Sequence, residues 1–359
     1  MSLMKNMTVN RLPARTWNWL KMNESYLTDI QTGNRGTCDV QLSGSGIIYS
    51  EISEKKDDPI WEQIETGMGP DMKELGSDAG SDLIHTETGK GKDSFAVLRV
   101  FSEKDQNTFR KIHIYAEKGS TLQVAVVCTS PEDGQGLAAL QTMIQAEEGA
   151  RVKLYLVQML GEGYTCLSDI GGNCEKGALI ELVRLELGAG KLYAGMQMNL
   201  TGDKSELDVQ LGYLALREQN LDMNYVVRHT GKKTASHMNI TGVLRDHAEK
   251  LFRGSIDFRQ GCAGAKGEEK EDVLLLGDNT VNRTIPLILC QEEDVEGNHG
   301  ATIGRLDEHM LFYLGSRGIT KEEAERLIAR ARIDAVADQI PDQNIRKEIG
   351  EFLERRNQY

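Results

Sequence analysis

Apolar and polar residues alternate in short runs through the middle of the chain, from about residue 94 to residue 290. In one run, Val152, Leu154 and Leu156 alternate with more polar neighbours, so the two sets of side chains fall on opposite faces of an extended strand. Amphipathic helical patterns are nearly missing over this stretch, which predicts a middle region made of β-strands. The clearest runs are 95–101, 109–114, 122–127, 152–157 and 207–211.

A weak internal repeat refines this prediction. Residues 114–122 (IYAEKGSTL) match residues 144–152 (IQAEEGARV), and a shorter third copy follows at 174–180 (CEKGALI). The central glycines of the three copies are 30 and 28 residues apart. Repetition at this period indicates stacked units that share one continuous core, and strands in each unit favour a parallel β-helix. An antiparallel sandwich with coincidentally similar turns is the alternative.

The last part of the chain, from Leu306 onward, has a helical pattern. Gly318 is placed to end a first helix. Thr320 and Glu323 form a capping box before a second helix, because each side chain can satisfy a free backbone amide of the other. Pro341 interrupts the pattern before one more amphipathic helix.

The first part of the chain mixes short helical and strand signals. The stretch 67–93 is rich in Gly, Asp, Ser and Thr, which favours a flexible connection or a long surface loop. We therefore expect three parts. These are a small N-terminal domain with a linker at 4–92, a parallel β-helix core at 93–304 and an α-helical C-terminal domain at 305–359.

Charge and hydropathy restrict the partners. The chain carries 42 basic and 55 acidic residues, a net charge of −13, and no dense basic run, so we expect neither nucleic acid nor a membrane surface as a partner. No apolar run approaches the roughly 20 residues that span a bilayer. The first fifteen residues lack the apolar stretch of a secretory signal, which predicts a cytoplasmic location.

Motifs of enzymes and of stable metal sites are missing from the sequence. None of the cysteines forms a C-x-x-C pair, which argues against a zinc ribbon or a ferredoxin-type cluster. Gly188 and Lys191 lack the other residues of a nucleotide-binding loop, and neither G-x-S-x-G nor H-E-x-x-H occurs. The sequence therefore predicts that this chain does not hydrolyse ATP unaided. The cysteines are Cys38, Cys128, Cys166, Cys174, Cys262 and Cys290.

Residues 284–319 combine several specific features. They contain, in order, Pro286 with alternating apolar residues, an acidic pair before Val295, the sequence HGAT at 299–302, LFYL at 311–314 and SRGI at 316–319. This segment resembles the C-terminal signature of the SufB/SufD family of iron–sulfur cluster assembly proteins, in its SufD-like form. Other segments similar to the family are 222–229, 242–248, 252–256 and 274–276.

The resemblance implies a fold and a role. It implies a right-handed parallel β-helix core with small α/β N-terminal and α-helical C-terminal domains. It further implies a non-catalytic scaffold that pairs with a SufB-type subunit, or with itself, and binds the ABC-type ATPase SufC through its C-terminal helices. Sulfur would come indirectly from a cysteine desulfurase system. The resulting iron–sulfur cluster would be transient in the complex and not firmly bound by this chain alone.

Site residues are also assigned by the resemblance. His299 corresponds to a family histidine at the SufB–SufD interface, where it could hold the nascent cluster. Many SufD-like chains have a cysteine where this chain has Gly297, and no cysteine occurs from 263 to 289, so the acceptor thiol is not expected here. Possible secondary ligands are Cys290, Glu293 and Asp294, with a plain strand residue and a solvated acidic turn as the alternative. The residues expected near SufC are Leu311, Phe312, Tyr313 and Arg317.

Three other interpretations remain open from the sequence. The chain could be a SufB-like scaffold that holds the cluster as a homodimer. It could be a β-helix enzyme acting on acidic polysaccharide, although the clustered Asp, Arg or Lys of such sites is not evident. It could also be a structural β-solenoid without a cluster role, which co-purification with an ATPase would distinguish.

Overall fold

The alternating runs form strands, and the C-terminal pattern forms helices. The computed structural model describes residues 5–16, 18–31, 33–52, 59–77 and 79–356, so the predicted domain limits at residues 4 and 359 lie outside the described residues. The N-terminal elements are β1 (Lys5–Val9), a 3-10 turn (Asn18–Leu20), β2 (Ser25–Ile30), β3 (Thr37–Ser43), β4 (Ile47–Ile52), α1 (Pro59–Glu62), α2 (Pro70–Leu75) and β5 (Ser81–Thr86).

The later elements continue without a long loop. The strands are β6 (Phe95–Phe101), β7 (Thr108–Ala116), β8 (Thr121–Thr129), β9 (Gln135–Ala146), β10 (Arg151–Met159), β11 (Gly163–Cys174), β12 (Leu179–Glu186), β13 (Lys191–Leu200), β14 (Glu206–Ala215), β15 (Asn220–His229), β16 (Ala235–Arg245), β17 (Glu249–Phe258), β18 (Ala265–Leu276), β19 (Val281–Cys290) and β20 (Val295–Gly304). The helices are α3 (Glu308–Ser316), α4 (Lys321–Ala337) and α5 (Gln343–Arg356).

Successive strands enter two different sheets, which makes the core a parallel β-solenoid of about eight turns. Sheet 1 has the order β20-β18-β16-β14-β12-β10-β8-β6-β3, and sheet 2 has the order β19-β17-β15-β13-β11-β9-β7-β5-β4. Each turn contributes one strand to each sheet. The predicted mainly β fold, with a parallel β-helix core and smaller N-terminal and helical C-terminal parts, is confirmed.

The sequence repeat corresponds to the turns of the solenoid. Gly119, Gly149 and Gly177 have φ values of +64°, +70° and +64°, a region that glycine enters without a steric penalty. The turns stack on one another, since the Gly119 amide donates to the Glu148 carbonyl at 3.0 Å. The equivalent glycines therefore set the spacing of 28 to 30 residues because each occupies the same corner of successive turns.

Alternation along the strands produces two cores. Val152, Leu154 and Leu156 point into the solenoid, as predicted, while Tyr155 points outward and is nevertheless buried. The outer face of sheet 1 is covered by the C-terminal helices, which explains this burial. The helix residues in this second core are Ala329, Ile333, Val336, Ala337, Ile340, Ile345, Ile349, Phe352 and Leu353.

Local sequence defines the helix ends. Gly318 has φ +84° and follows α3, and the Ile319 amide donates to the Leu314 carbonyl at 3.2 Å, so the predicted glycine stop is confirmed. The capping box is also confirmed: Thr320 Oγ1 accepts from the Glu323 amide at 3.2 Å, and Glu323 Oε2 accepts from the Thr320 amide at 2.8 Å.

The prediction of a flexible connection or surface loop at 67–93 was wrong. This stretch contains α2 and β5, and Met68 and Met72 are buried in it. Two of its glycines serve close packing: a Cβ atom on Gly67 would lie 1.9 Å from the Met196 backbone nitrogen, and one on Gly76 would meet the ring of Phe109. Composition alone cannot distinguish glycine used for close backbone approach from glycine used for flexibility.

The two ends of the solenoid differ. At the first end, β3 pairs antiparallel with β6 and β4 pairs antiparallel with β5, over seven and six residues. At the other end, β19 and β20 are parallel strands of ten residues each. They are the terminal strands of sheet 2 and sheet 1, so no further strand of the described chain pairs with them. We call this last turn, formed by β19 and β20, the open end.

No helix in the described part of the chain is both long enough and apolar enough to cross a lipid bilayer.

Candidate functional site at the open end of the solenoid

His299 lies on β20 in a row of side chains that faces the inside of the solenoid. Register pairs along sheet 1 connect Val124, Leu154, Leu182, Val209, Met238, Glu269 and His299. Paired residues of a parallel sheet point to the same face. The row is therefore apolar for five turns, becomes acidic at Glu269 and ends on an exposed imidazole at the open end.

Cys290 lies opposite, at the end of β19 in sheet 2. Its register row contains Cys174, Leu200, His229 and Phe258, all of which are buried inside the solenoid. Cys290 ends this row and is exposed because no further turn covers it. The structure thus directs His299 and Cys290 from opposite sheets toward the same open end.

Glu269 is the buried neighbour of His299 in the register. Its side chain lies against Gly254 on the opposite sheet, where a Cβ atom would be only 1.9 Å from a Glu269 carboxylate oxygen. Burial raises the pKa of Glu269 to about 7, repulsion from Glu271 acts in the same direction, and attraction to Lys250 opposes both. Glycine at 254 is what makes room for this carboxyl group inside the solenoid.

A second buried carboxylate lies beside the first. Glu271 forms an ion pair with Lys250, and both side chains are almost completely buried. Thr284 Oγ1 on β19 accepts from Lys250 Nζ at 2.9 Å and donates to Glu271 Oε2 at 2.7 Å. Burial lowers the pKa of Lys250, and Glu271 counteracts this effect. The last two turns of the solenoid therefore hold two carboxylates and one amine inside, whereas the earlier turns are mostly apolar apart from the buried Arg184–Glu186 pair on β12.

The predicted secondary ligands Glu293 and Asp294 lie in the exposed turn between β19 and β20. The Asp294 carbonyl accepts from the Gly264 amide at 2.6 Å, and the Glu293 amide donates to Glu292 Oε1 at 3.0 Å. In the described residues, no three His, Cys, Asp or Glu side chains are close enough to hold a metal ion. His299, Cys290, Glu293 and Asp294 therefore do not form a complete site within this one chain, and their role as ligands stays a prediction.

The residues predicted to contact an ATPase lie on or next to α3, which directly follows β20. Phe312 is 79% exposed and Tyr313 is 54% exposed, whereas Leu311 is partly buried. Arg317 lies over the Tyr313 ring, with its guanidinium carbon 4.9 Å from the ring centroid. The helix thus presents a large apolar and aromatic surface beside the open end.

The sequence analysis missed the charged residues inside the last turns. Glu269 and Glu271 occupy inward positions of β18. The run KGEEKED has charged residues at both odd and even positions, so alternation cannot identify which of them point inward. A signal for the open end was present at Pro286. Proline lacks the amide that a central strand needs, and within a strand it indicates an edge; it lies in β19, the last strand of sheet 2.

Glu269 generates a test through the pH dependence of stability. In the unfolded chain this carboxyl ionises near its usual pKa of 4.5, whereas in the folded protein it stays protonated up to about pH 7. The folded state thus loses stability as pH rises from about 4.5 to 7, by about 3 kcal/mol at 1.4 kcal/mol per pKa unit. The side chain at position 269 cannot ionise in Glu269→Gln. The unfolding free energy of this variant, relative to that of the wild type, should therefore increase as pH rises through this range.

Denaturant unfolding at pH 5 and pH 8 measures the effect. Glu268→Gln is the matched control, because Glu268 is only partly buried and its hydrogen bond to Lys270 lowers its pKa. The unfolding free energy of the control variant, relative to that of the wild type, should not increase at high pH. If Glu269→Gln differs from the wild type by the same amount at both pH values, Glu269 does not titrate in the folded protein as described.

Comparisons with known proteins agree on one family. The family described as "SUF system FeS cluster assembly, SufBD core domain" matches residues 99–332. The iron–sulfur cluster assembly protein SufD of Bacillus subtilis is 27% identical over 261 residues, which cover 72% of this chain and 59% of that protein. A SufBD family protein of Trieres chinensis is 26% identical over 321 residues, with 84% and 66% covered. One of Mycobacterium leprae is 25% identical over 249 residues, with 68% and 28% covered.

The chain spans 59% of the length of the SufD relative and 28% of the Mycobacterium leprae relative. The matched region contains the open end, the buried carboxylates Glu269 and Glu271, and all of α3. It covers well over half of the chain. This chain belongs to the SufBD family of iron–sulfur cluster assembly proteins.

Proposed function

We propose that this chain is a non-catalytic, SufD-like scaffold whose open end joins a second scaffold subunit, and that a nascent iron–sulfur cluster is built at this junction. The observation that carries the proposal is the arrangement at β19 and β20. Two ten-residue strands end the sheets, and a histidine and a cysteine face inward at the same end.

Unpaired strand edges favour addition of another strand. Each edge strand exposes a row of backbone donors and acceptors that can pair with a strand of a second chain. Nine of the ten residues of β20 are exposed, and Ile303 is among them. A SufB-type subunit with a similar open end would extend both sheets and cover this surface. A second copy of this chain is the alternative partner, as in a homodimeric scaffold.

The ligand chemistry also favours a site shared between subunits. Nascent clusters need soft thiolate ligands and tolerate an imidazole or a carboxylate at a labile position. This chain offers His299 and the exposed Cys290 at the open end, with Glu293 and Asp294 on its rim. The cluster is cargo here, transiently held, and the partner would supply the remaining ligands. Sulfur would reach the complex from a cysteine desulfurase system.

The helical region supports docking of a SufC-type ATPase. α3 exposes Phe312 and Tyr313, and the groove beside it is lined by Ile319, Leu327 and charged residues of α4. Leu327 on α4 is exposed. Exposed aromatic side chains next to arginine are typical of binding hot spots. Because α3 directly follows β20, ATP-driven movement of this helix would act on the open end.

The cluster role of His299 can be tested by His299→Ala. The imidazole is exposed, so the free energy of unfolding should change by less than about 0.5 kcal/mol. The reconstituted complex with SufC and the SufB-type partner should still assemble but should lose cluster formation, measured as bound iron and acid-labile sulfide. His237→Ala, an exposed histidine on β16, is the matched control and should behave like the wild type. A wild-type cluster yield with His299→Ala would remove this residue from the site.

The docking role of α3 can be tested by Arg317→Glu. Reversing this charge should weaken SufC binding about tenfold at low salt and less at high salt, because salt screens exposed charges. Circular dichroism and the melting temperature should stay unchanged. Arg151→Glu, an exposed arginine on a middle turn of the solenoid, is the control. If both variants bind SufC with wild-type affinity at low salt, the contact lies elsewhere.

A further inference from the structure

The β1–β2 hairpin crosses the outer face of sheet 2 and runs toward the open end. Near the base of the hairpin, Asn107 on the loop before β7 donates to the Gln31 carbonyl at 3.2 Å. At the other end of the hairpin, Asn10 donates to Asp222 on β15 at 2.7 Å. The hairpin therefore passes over successive turns from β7 to β15.

The residues that join β1 and β2 extend this direction by one more turn. Arg253 on β17 donates from Nε to the Met22 carbonyl at 2.6 Å and from Nη1 to Asp222 at 2.6 Å. Its side chain is completely buried. The next strand beyond β17 in sheet 2 is β19, which forms the open end. We call residues 10–26 the hairpin tip.

The described residues of the hairpin tip, 10–16 and 18–26, have a defined structure. Asn23 Oδ1 accepts from the Thr16 amide at 2.7 Å, Asn23 Nδ2 donates to Asn18 Oδ1 at 2.9 Å, and the Leu12 amide donates to the Asn23 carbonyl at 2.8 Å. Asn23 is buried, although it is polar, because these bonds satisfy it. Side chains on this loop are therefore held in place by Asn23 and Arg253.

This ordered tip exposes large aromatic side chains. Trp19 is 74% exposed and Tyr26 is 71% exposed, and Leu20 beside them is also exposed. On the adjacent edge strand, Ile285, the register partner of Arg253, is the one buried residue of β19, and the partly buried Leu287 and Leu289 follow it on the same outward face. Trp and Tyr at such a surface are typical anchors of protein–protein interfaces.

The charge of the tip is opposite to that of the chain. Residues 10–26 contain Arg11, Arg15 and Lys21 against Glu24, a net charge of +2 in a chain of net charge −13. The last turn, residues 277–304, contains five acidic residues and one basic residue, a net charge of −4. Within one chain, the tip and the acidic last turn lie at the same end of the solenoid.

We propose that the hairpin tip is a docking surface for the acidic last turn of a second copy of this chain. The inference rests on the proposed junction at the open end and adds to it a contact made by side chains. In a two-fold arrangement each tip meets the last turn of the other copy, so the contact is made twice. Trp19 and Tyr26 contribute apolar contact area, and Arg15 and Lys21 meet the carboxylates around Glu292.

The experiment uses two charge-reversed variants of the full chain. One variant carries Arg15→Glu with Lys21→Glu, and the other carries Glu292→Lys with Glu293→Lys. Each variant alone should self-associate about tenfold more weakly than the wild type at low salt, because residues 15 and 21 then carry the same sign of charge as residues 292 and 293, which they would face. An equimolar mixture of the two should recover wild-type association, because both contacts again join opposite charges. Sedimentation velocity over a concentration series measures the dissociation constants.

Controls separate this proposal from the junction itself. Arg151→Glu with Lys191→Glu makes the same charge change on exposed residues of the middle turns and should leave association unchanged. Ala301→Pro in β20 removes one amide of the edge, and its association should fall if the strand edges form the junction. Loss with Ala301→Pro but wild-type association of all charge variants would overturn the tip contact and leave the junction standing.

Two further results would also overturn the proposal. A wild-type chain that stays monomeric at 100 µM and low salt does not dock on a second copy. If Arg15→Glu with Lys21→Glu weakens binding to a SufB-type subunit but leaves self-association unchanged, the hairpin tip docks on that other partner instead. Restored association in the mixture, together with the loss in each variant alone, is the result that the proposal predicts.

Discussion

Backbone hydrogen bonding at the last turn is the constraint on which the rest of this structure depends. A β-solenoid satisfies its backbone groups by stacking one turn on the next, so every strand needs a neighbour on both sides. At the open end that neighbour is missing for β19 and β20 in the described chain. The stacking that stabilises the core therefore leaves a surface that favours a second chain and exposes the inward side chains of one turn.

Charged groups lie inside the solenoid at the same end. Most inward rows are filled by apolar side chains, which suit a dry interior, but a middle turn holds the buried Arg184–Glu186 pair and the last turns hold Lys250, Glu269 and Glu271. Buried charges of this kind destabilise a fold unless they are paired, and Glu269 remains protonated up to about pH 7 instead. Glu269 is the register neighbour of His299 in sheet 1, so the interior directly behind this imidazole is polar.

Sequence patterns predicted much of the fold because alternation and a period of 28 to 30 residues follow directly from strands stacked in turns. The capping box at Thr320 and the glycine stop at Gly318 were predictable because they depend on neighbours in sequence. The stretch 67–93 was not, since Gly67 packs against the Met196 backbone and Gly76 against the Phe109 ring, both distant in sequence. Glu269 was missed because charged residues occupy both faces of β18, so that alternation does not identify the inward ones. The hairpin tip was missed because Arg253, which holds it, lies more than 200 residues away in sequence.

Amide hydrogen exchange in β20 tests the central claim that the open end is a junction between scaffold subunits. Alternate amides of this strand already bond to β18, and the others point away from it. In a complex with the scaffold partner, the second set should exchange at least about tenfold more slowly than in the isolated chain, because those amides gain partners. Unchanged exchange across residues 295–304 in an intact complex would contradict the account.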